Sequence, residues 1–461
     1  MTTRSASAPK LLLAFYGDDF TGSTDAMEAL ALSGLRTVLF LAPPKPELLR
    51  DRFADVRCIG VAGTSRAMSP AEMADHLPPI FRALRSAGAP IVHYKVCSTF
   101  DSSATVGSIG RVIDIARREF TEGRVISLLA GAPPLRRYTV FGNHFAAAGD
   151  RVYRLDRHPT MSRHPITPMD EPDLRVHLAR QTDASISLMS IVDLEGSAAE
   201  VDARYAAKLE DKPHVLFFDV LDDARLQTAG RLIWEQGARG QHFSVGSSGV
   251  EYALTAHWRA SGMAEKGTAS FGRLEPVRQL LVVSGSCSPV TAAQIEWASL
   301  NGFDCIRAPA QDFVNPGAAE SARRALFERA MKSLSAGESP LIYSASGPDD
   351  PSIGATRNRM AEHGQQSIDT GKLLGQQLGR LTRELLAASG LRRVVIAGGD
   401  TSSFATQELG LYGLEMTAPA APGSPLCRAY SEEARFDRLE IALKGGQMGQ
   451  PDYFGRVRGS P

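Results

Sequence analysis

At 461 residues the chain exceeds the size at which one hydrophobic core usually stops growing, so two α/β domains are expected. Its 51 basic and 51 acidic residues are spread along the chain and cancel, which leaves no electrostatic footprint for nucleic acid. The five cysteines (Cys58, Cys97, Cys287, Cys305, Cys427) contain no C-x-x-C pair, which argues against a disulfide framework or a zinc cage and for a reducing, cytoplasmic setting.

The start, MTTRSASAPK, lacks the features of a secretory signal, and no apolar run is long enough to span a bilayer. Short apolar or β-branched runs then alternate with glycine or polar punctuation and helical periods, the grammar of parallel βαβ units. LLLAFYG, RTVLFLA, CIGVAG, IVHYKVC, ISLLAG, ISLMSI and HVLFFDV supply strands of the first half, and QLLVVSG, SPLIYSAS and RRVVIAGG those of the second. Between them SGMAEKGTASFGRLEP (261–276) is poor in large apolar residues and reads as a linker, with the boundary near Gly267. The fold expected is α/β: two dissimilar domains, 1–266 and 267–461, with mainly parallel sheets and the active site in the cleft between them.

FYGDDFTGSTDAMEALALSGL reads as a strand ending at Gly17 and a helix beginning near Thr21 or Ser23. Functional residues of open α/β sheets gather at such carboxyl ends of strands. Asp18 and Asp19, side by side there, suit polyol hydroxyls or general-base work, although either also fits a plain helix cap. Asp25, one turn on, either shares the site or is solvated. In HYKVCSTFDSSATVGSIG, Lys95 leaves a strand and is followed by Ser98, Thr99, Asp101 and Ser102, which together fit a receptor for a small carboxylate. A serine-rich helix cap with a surface lysine fits equally. Cys97 has no evident base partner and reads as a structural thiol. The stretch 136–173 concentrates Arg, His and Pro without helical or strand period, so it reads as a lid or binding loop in which His144, His158, Arg163 and His164 bind an anion or gate a cleft, although a structural or solvent-facing role suits any single histidine better.

The second half carries three strand ends with glycine. LLVVSGSCSPVTAAQI turns at Ser286 into a helix capped by Ser288 with Pro289 at its first position. VVIAGGDTSSFATQELG places Gly398, Gly399, Asp400 and Thr401 at the next helix start, and RLEIALKGGQMG brings Gly445 and Gly446 beside Lys444. Together they fit a pocket for a nucleotide's phosphates and base. Neither a Walker A loop nor G-x-G-x-x-G directly after a strand is present.

The ordered motifs GDDFTGSTD, YKVCSTFDS, MSRHPITPMD, VVSGSCS, AGGDTSS and LKGGQMG resemble those of the four-carbon acid sugar kinases along nearly the whole chain. The resemblance implies an acid-sugar-binding first domain and a nucleotide-binding second domain unlike P-loop folds. It also implies substrate contacts by Asp18, Asp19, Lys95, Ser98, Thr99 and Asp101, and ATP contacts by Ser286, the segment from Gly398 to Thr401, and Gly445. CSTFDS and RHPITPMD are most similar to the 3-oxo-tetronate kinase branch. The chain departs from that branch at RRYTVFGNHFA, where a glycine-arginine-threonine element followed by Y-x-G is expected, and Gly445 stands where a serine is usual.

The activity so implied is ATP-dependent phosphorylation of a sugar-acid hydroxyl. The acid expected first is 3-oxo-tetronate, with 3-oxo-isoapionate, D-threonate and D-erythronate as alternatives. Asp19 is the first choice as base or orienter of the acceptor hydroxyl and Asp18 the second, with Mg2+ carried by ATP rather than by a protein metal site. The expected partners are the acid and ATP, with neither nucleic acid nor membrane, and a homodimer is an assembly open to the chain. The competing classes are a non-catalytic sensor of a sugar acid and a nucleotide, and a single-cleft hydrolase or aldolase. Against the latter stands the absence of G-x-S-x-G.

Overall fold

The computed structural model describes residues 11–120, 124–164, 166–264, 271–272, 274–364 and 370–459. The chain divides into two compact units, Met1–Val38 with Ala42–Ala269, and Leu39–Leu41 with Ser270–Pro461. The boundary expected near Gly267 lies outside the described residues.

The first unit's strands are β1 (Leu13–Gly17), β2 (Thr37–Phe40), β3 (Cys58–Ala62), β4 (Ile91–Lys95), β5 (Ile126–Leu129), β6 (Arg137–Val140), β7 (Asn143–Ala148), β8 (Arg151–Arg154), β9 (Ile186–Met189), β10 (Val215–Phe218) and β11 (His242–Gly246), with β2 running into the second unit. A parallel array runs in the order β3-β1-β4-β11-β5-β10-β9. Its central strands read as near-continuous apolar runs, and β1, β3, β4 and β11 are buried along their whole length, as strands covered by helices on both faces must be. Register aligns their carboxyl ends: Gly17 stands opposite Ala62 on one side and Lys95 on the other, and Lys95 opposite Gly246.

The stretch 136–173 is not the irregular loop expected from its composition. β6, β7 and β8 form a separate three-stranded antiparallel ribbon. Phe141 (φ 51°) and Gly142 (φ 84°) make its first turn, both left-handed, which matches the twist of a tight hairpin. A phenylalanine at a left-handed position is not a turn signal, and the ribbon's half-buried strands show no clean alternation.

In the second unit β12 (Leu281–Ser284), β13 (Phe303–Arg307), β14 (Ser339–Tyr343), β15 (Arg393–Ala397), β16 (Leu411–Ala421), β17 (Ser424–Ser431) and β18 (Glu440–Lys444) lie in the order β13-β14-β12-β15-β18-β17-β16. Pairing is parallel from β13 to β18, then antiparallel through the β16–β17 hairpin. Val282, Leu341, Val395 and Ala442 of four neighbouring strands pack with Tyr453, Phe454 and Val457 of the last helix. Each large apolar side chain buried this way contributes about 1.5–3 kcal/mol. β12, β15 and β18 are adjacent, with Ser284 opposite Ala397 and Ala397 opposite Lys444, so their carboxyl ends also share one level.

Candidate functional site

In the first unit, Asp19 is the N-cap of helix Phe20–Leu32: its Oδ1 accepts from the Gly22 N–H at 2.8 Å and its Oδ2 from the Thr21 hydroxyl at 2.8 Å. The capping alternative is therefore real, but the carboxylate does more. Arg66, in the turn after β3, donates through Nη1 to Asp19 Oδ2 at 2.7 Å and grips Asp18 through Nε (3.0 Å) and Nη2 (2.7 Å). Such two-point guanidinium–carboxylate bonding fixes orientation as well as charge.

Burial pushes the Asp18 carboxyl above its usual range, with Arg66 opposing and Asp19 adding to the rise. For Asp19 burial acts in the same direction, but Arg66, Lys95, Thr21 and Gly22 together outweigh it and hold the group below its usual range. The side chain of Asp18 is 4% exposed and that of Asp19 18%, so Asp19 is the more accessible of the two.

Lys95 closes the other side. It is buried, and its Nζ lies 3.7 Å from Asp25 Oδ2, so Asp25 is part of this cluster and not a solvated residue. Burial disfavours the ammonium, yet Asp25, Asp19 and Asp18 outweigh it and keep the charge in place. A Cβ on Gly22 would strike both Lys95 Nζ and Asp19 Oδ1, so glycine is what lets the ammonium approach the helix start. Beyond Lys95, Cys97 Sγ lies 2.9 Å from Thr99 Oγ1, which donates to Asp101 Oδ1 at 2.6 Å. Phe100, buried and left-handed (φ 60°), bends this loop, and the Ser98 carbonyl accepts from His144 Nε2 of β7 at 2.7 Å. Burial lowers the His144 imidazole to about 4, so it is a neutral structural donor.

Arg163 and His164 are not drawn into this cluster. Arg163 is exposed, and His164 Nδ1 serves the Thr167 N–H (3.1 Å) and hydroxyl (2.9 Å) locally. Two arginines not singled out in the sequence stand closer: Arg66 bonds to Asp18 and Asp19, and Arg137 is within electrostatic reach of Asp101 and Asp25. Arg66 follows a strand that was legible, CIGVAG, and the loop at that strand's carboxyl end was the available signal. Arg137 opens β6; its Nη1 donates to the carbonyls of Leu135 (2.8 Å) and Arg136 (3.3 Å), and its buried Nε has no acceptor. Burial lowers its proton affinity first of all, while Cys97, Asp101 and Asp25 act on it from the cluster's side.

In the second unit the three glycine bends converge. The Gly285 N–H donates to Ala397 O at 3.0 Å and the Gly398 N–H to Lys444 O at 2.7 Å. Ser286 Oγ lies 2.9 Å from Thr291 Oγ1, and Ser288, the cap of helix Pro289–Leu300, donates its hydroxyl to Gly446 O. Gly398 (φ 117°) is left-handed and caps helix Gly399–Glu408 with no side-chain bond to the first N–H groups, while the space a Cβ of Gly399 would fill is open. Thr401 is buried against Gly285, whose Cβ would strike its hydroxyl, and Asp400 is exposed beside Gly371. Free N–H groups at a helix start, next to hydroxyls and glycine backbone, suit a phosphate. Among the described residues no group of three or more His, Cys, Asp or Glu could hold a metal ion, and no helix is long and apolar enough to cross a membrane.

Residues 13–254 match the family model described as a sugar-binding N-terminal domain, and residues 281–454 the one described as a nucleotide-binding C-terminal domain. A kinase of small sugar acids is the class these two matches and the two sites define. The chain belongs to the four-carbon acid sugar kinase family. It is 50% identical to a 3-oxo-isoapionate kinase of Paraburkholderia graminis, over 99% of this chain and 96% of that protein. A 3-oxo-tetronate kinase of Methylobacterium radiotolerans is 30% identical over 97% and 98%. Among solved structures, proteins of Salmonella typhimurium LT2 (TM-score 0.75, 23% identity, 97% of this chain and 98% of that one) and Haemophilus influenzae (0.69, 24%, 97% and 99%) share the fold.

Proposed function

We propose that this protein is an ATP-dependent kinase whose acceptor is a hydroxyl of a branched 3-oxo sugar acid, 3-oxo-isoapionate, in preference to 3-oxo-tetronate, D-threonate or D-erythronate. The observation that carries the kinase reading is the pairing of a cation-rich carboxylate site in one unit with three converging glycine bends in the other. The branched acid is supported by 50% identity to the kinase named for it against 30% or less for the 3-oxo-tetronate kinases, and by the divergence at RRYTVFGNHFA. The units are read as the substrate half (1–266) and the nucleotide half (267–461).

Lys95 and Arg137 anchor the substrate carboxylate, and Ser98, Thr99 and Asp101 hold its hydroxyls. Asp19, the more exposed carboxylate of the pair, orients the acceptor hydroxyl and accepts its proton, while Arg66 and Asp18 hold Asp19 in place. Ser286, the segment Gly398–Thr401, Gly445 and Gly446 hold the nucleotide phosphates. Bound ATP supplies the γ-phosphoryl group, with Mg2+ neutralising its charge. Phosphoryl transfer asks the protein chiefly for alignment and charge placement, which is what these residues offer.

ADP release measured across the four acids tests the reading. ATP consumption dependent on 3-oxo-isoapionate is expected. Turnover highest with 3-oxo-tetronate would overturn the choice of acid, and nucleotide binding without turnover on any acid would favour a sensor.

A further inference from the structure

Lys444 ends β18 and is wholly buried, at 0% exposure. Its Nζ donates to Gly445 O at 2.8 Å, Thr291 Oγ1 at 3.1 Å and Gly446 O at 3.3 Å. Three neutral acceptors satisfy its three N–H groups, but none cancels its charge. Burial alone pushes this ammonium from an ordinary value of 10.5 down to about 7. Among the described residues no carboxylate acts on it. The loop after β12 presents the Ser286 and Ser288 hydroxyls, helix Pro289–Leu300 presents Thr291, and Asp400 of helix Gly399–Glu408 is exposed against Gly371.

The same bonds fix the bend. Gly446 O also accepts from the Ser288 hydroxyl and from Thr291 Oγ1 at 3.1 Å, so the carbonyls of Gly445 and Gly446 both turn inward. In a trans peptide the carbonyl and the N–H that follows it point in opposite directions. The N–H groups of Gly446 and Gln447 therefore face away from Lys444, and neither donates to an acceptor among the described residues. Consecutive unpaired main-chain donors at a glycine bend make a concavity for an anion.

We infer, resting on the kinase reading, that Lys444 is a positioning residue for the nucleotide: its buried ammonium holds the two carbonyls inward so that the Gly446 and Gln447 N–H groups meet a phosphate, and that phosphate supplies the missing counter-charge. Nucleotide binding then favours the protonated lysine. By linkage, nucleotide affinity is greatest where Lys444 is charged and falls as pH rises above neutrality.

The test is calorimetric titration of ADP with constant excess Mg2+ between about pH 7.5 and 9, above the phosphate's own titration, with adenosine as the phosphate-free control. The wild type is expected to lose ADP affinity as pH rises, by up to about tenfold per pH unit, the one-proton limit, with adenosine unaffected. Lys444→Met and Lys444→Gln should both give flat profiles; the glutamine, which keeps donors without charge, should bind the more tightly of the two. A flat wild-type ADP profile overturns the inference, as does a Lys444→Met variant that keeps both the affinity and the slope. If neither variant folds, the wild-type contrast between ADP and adenosine decides alone. A wild type that binds no ADP sinks the kinase reading and this inference with it, whereas tight, pH-independent ADP binding sinks only this one.

Discussion

Arg66 grips Asp18 through two parallel hydrogen bonds, Nε to Oδ2 at 3.0 Å and Nη2 to Oδ1 at 2.7 Å, across 48 positions of sequence. The third arm of the same guanidinium reaches Asp19, so one side chain balances two adjacent carboxylates that would otherwise repel. Removing one partner of a buried pair typically costs about 3–5 kcal/mol. Arg66→Ala should therefore lower both the thermal midpoint and turnover. Arg66→Lys keeps a charge but cannot fork to both carboxylates, so it should stay folded and still lose most of its kcat/KM for the acid. A fully active lysine variant in steady-state kinetics would count against the bridging role.

Asp19 serves as both cap and charge, and two substitutions separate these. Asp19→Ala removes both, and loss of the cap alone costs about 1 kcal/mol. Asp19→Ser keeps an oxygen for the Gly22 N–H. Both should lose about 100-fold or more in turnover while binding ADP as the wild type does; both should melt earlier for loss of the Arg66 pair, the alanine variant the more so by the lost cap. Calorimetry alongside an ADP-release assay distinguishes them.

Gly22→Ala tests the close approach of Lys95 to the helix start. The added methyl overlaps Lys95 Nζ and Asp19 Oδ1, so one of the two must move. The expected result is a raised KM for the sugar acid with an unchanged KM for ATP.

Arg137→Met should show the same split, because its guanidinium has a buried, unpaired Nε and only neutral acceptors. A rise of about tenfold or more in acid KM is the expectation, the loss of one charge-assisted contact to an anion. Equal effects on both substrates would mean that the residue only supports the ribbon.

Lys444 also makes stability depend on pH, with the sign opposite to that of nucleotide affinity. Its folded value of about 7 lies below its ordinary 10.5, so between those limits the unfolded chain binds the extra proton. Stability without nucleotide should rise with pH across that window, by up to about tenfold in the folding equilibrium per pH unit. Buried cysteines oppose the trend, but they are common to wild type and Lys444→Met, so the difference between their urea midpoints at several pH values isolates the lysine.

Much of this architecture was legible because parallel strands buried on both faces are written as short apolar runs ending in glycine or polar turns, as in LLLAFYG and RRVVIAGG. The half-sites followed from what stands at the ends of those runs. Legibility failed where pattern and burial part. HFSVG of β11 is interrupted by a buried serine, and β13 begins as FDC; neither reads as a strand. The β16–β17 hairpin turns at Pro-Gly within an alanine- and proline-rich tract, and the 136–173 ribbon hides behind its histidines and arginines. Arg66 and Arg137 were not legible for a different reason: β3 pairs beside β1, which brings Arg66 to Asp18, and the separate ribbon is tied to Val220, Asp219 and Ser98, which brings Arg137 near Asp101; no local spacing encodes either.

The β6–β8 ribbon is a sheet of its own, fastened by the His144 bond to the Ser98 carbonyl, by main-chain bonds between Thr139 and Val220, and by Asp219, which accepts from the Phe141 and Gly142 N–H groups. Its exposed side chains, Phe141 and Val152 among them, can vary without repacking the parallel array, while its first residue, Arg137, stands within electrostatic reach of Asp101 and Asp25. On the proposed reading the ribbon is a selectivity element: transplanting it between relatives that take different acids is expected to shift the preferred acid and leave ADP binding unchanged.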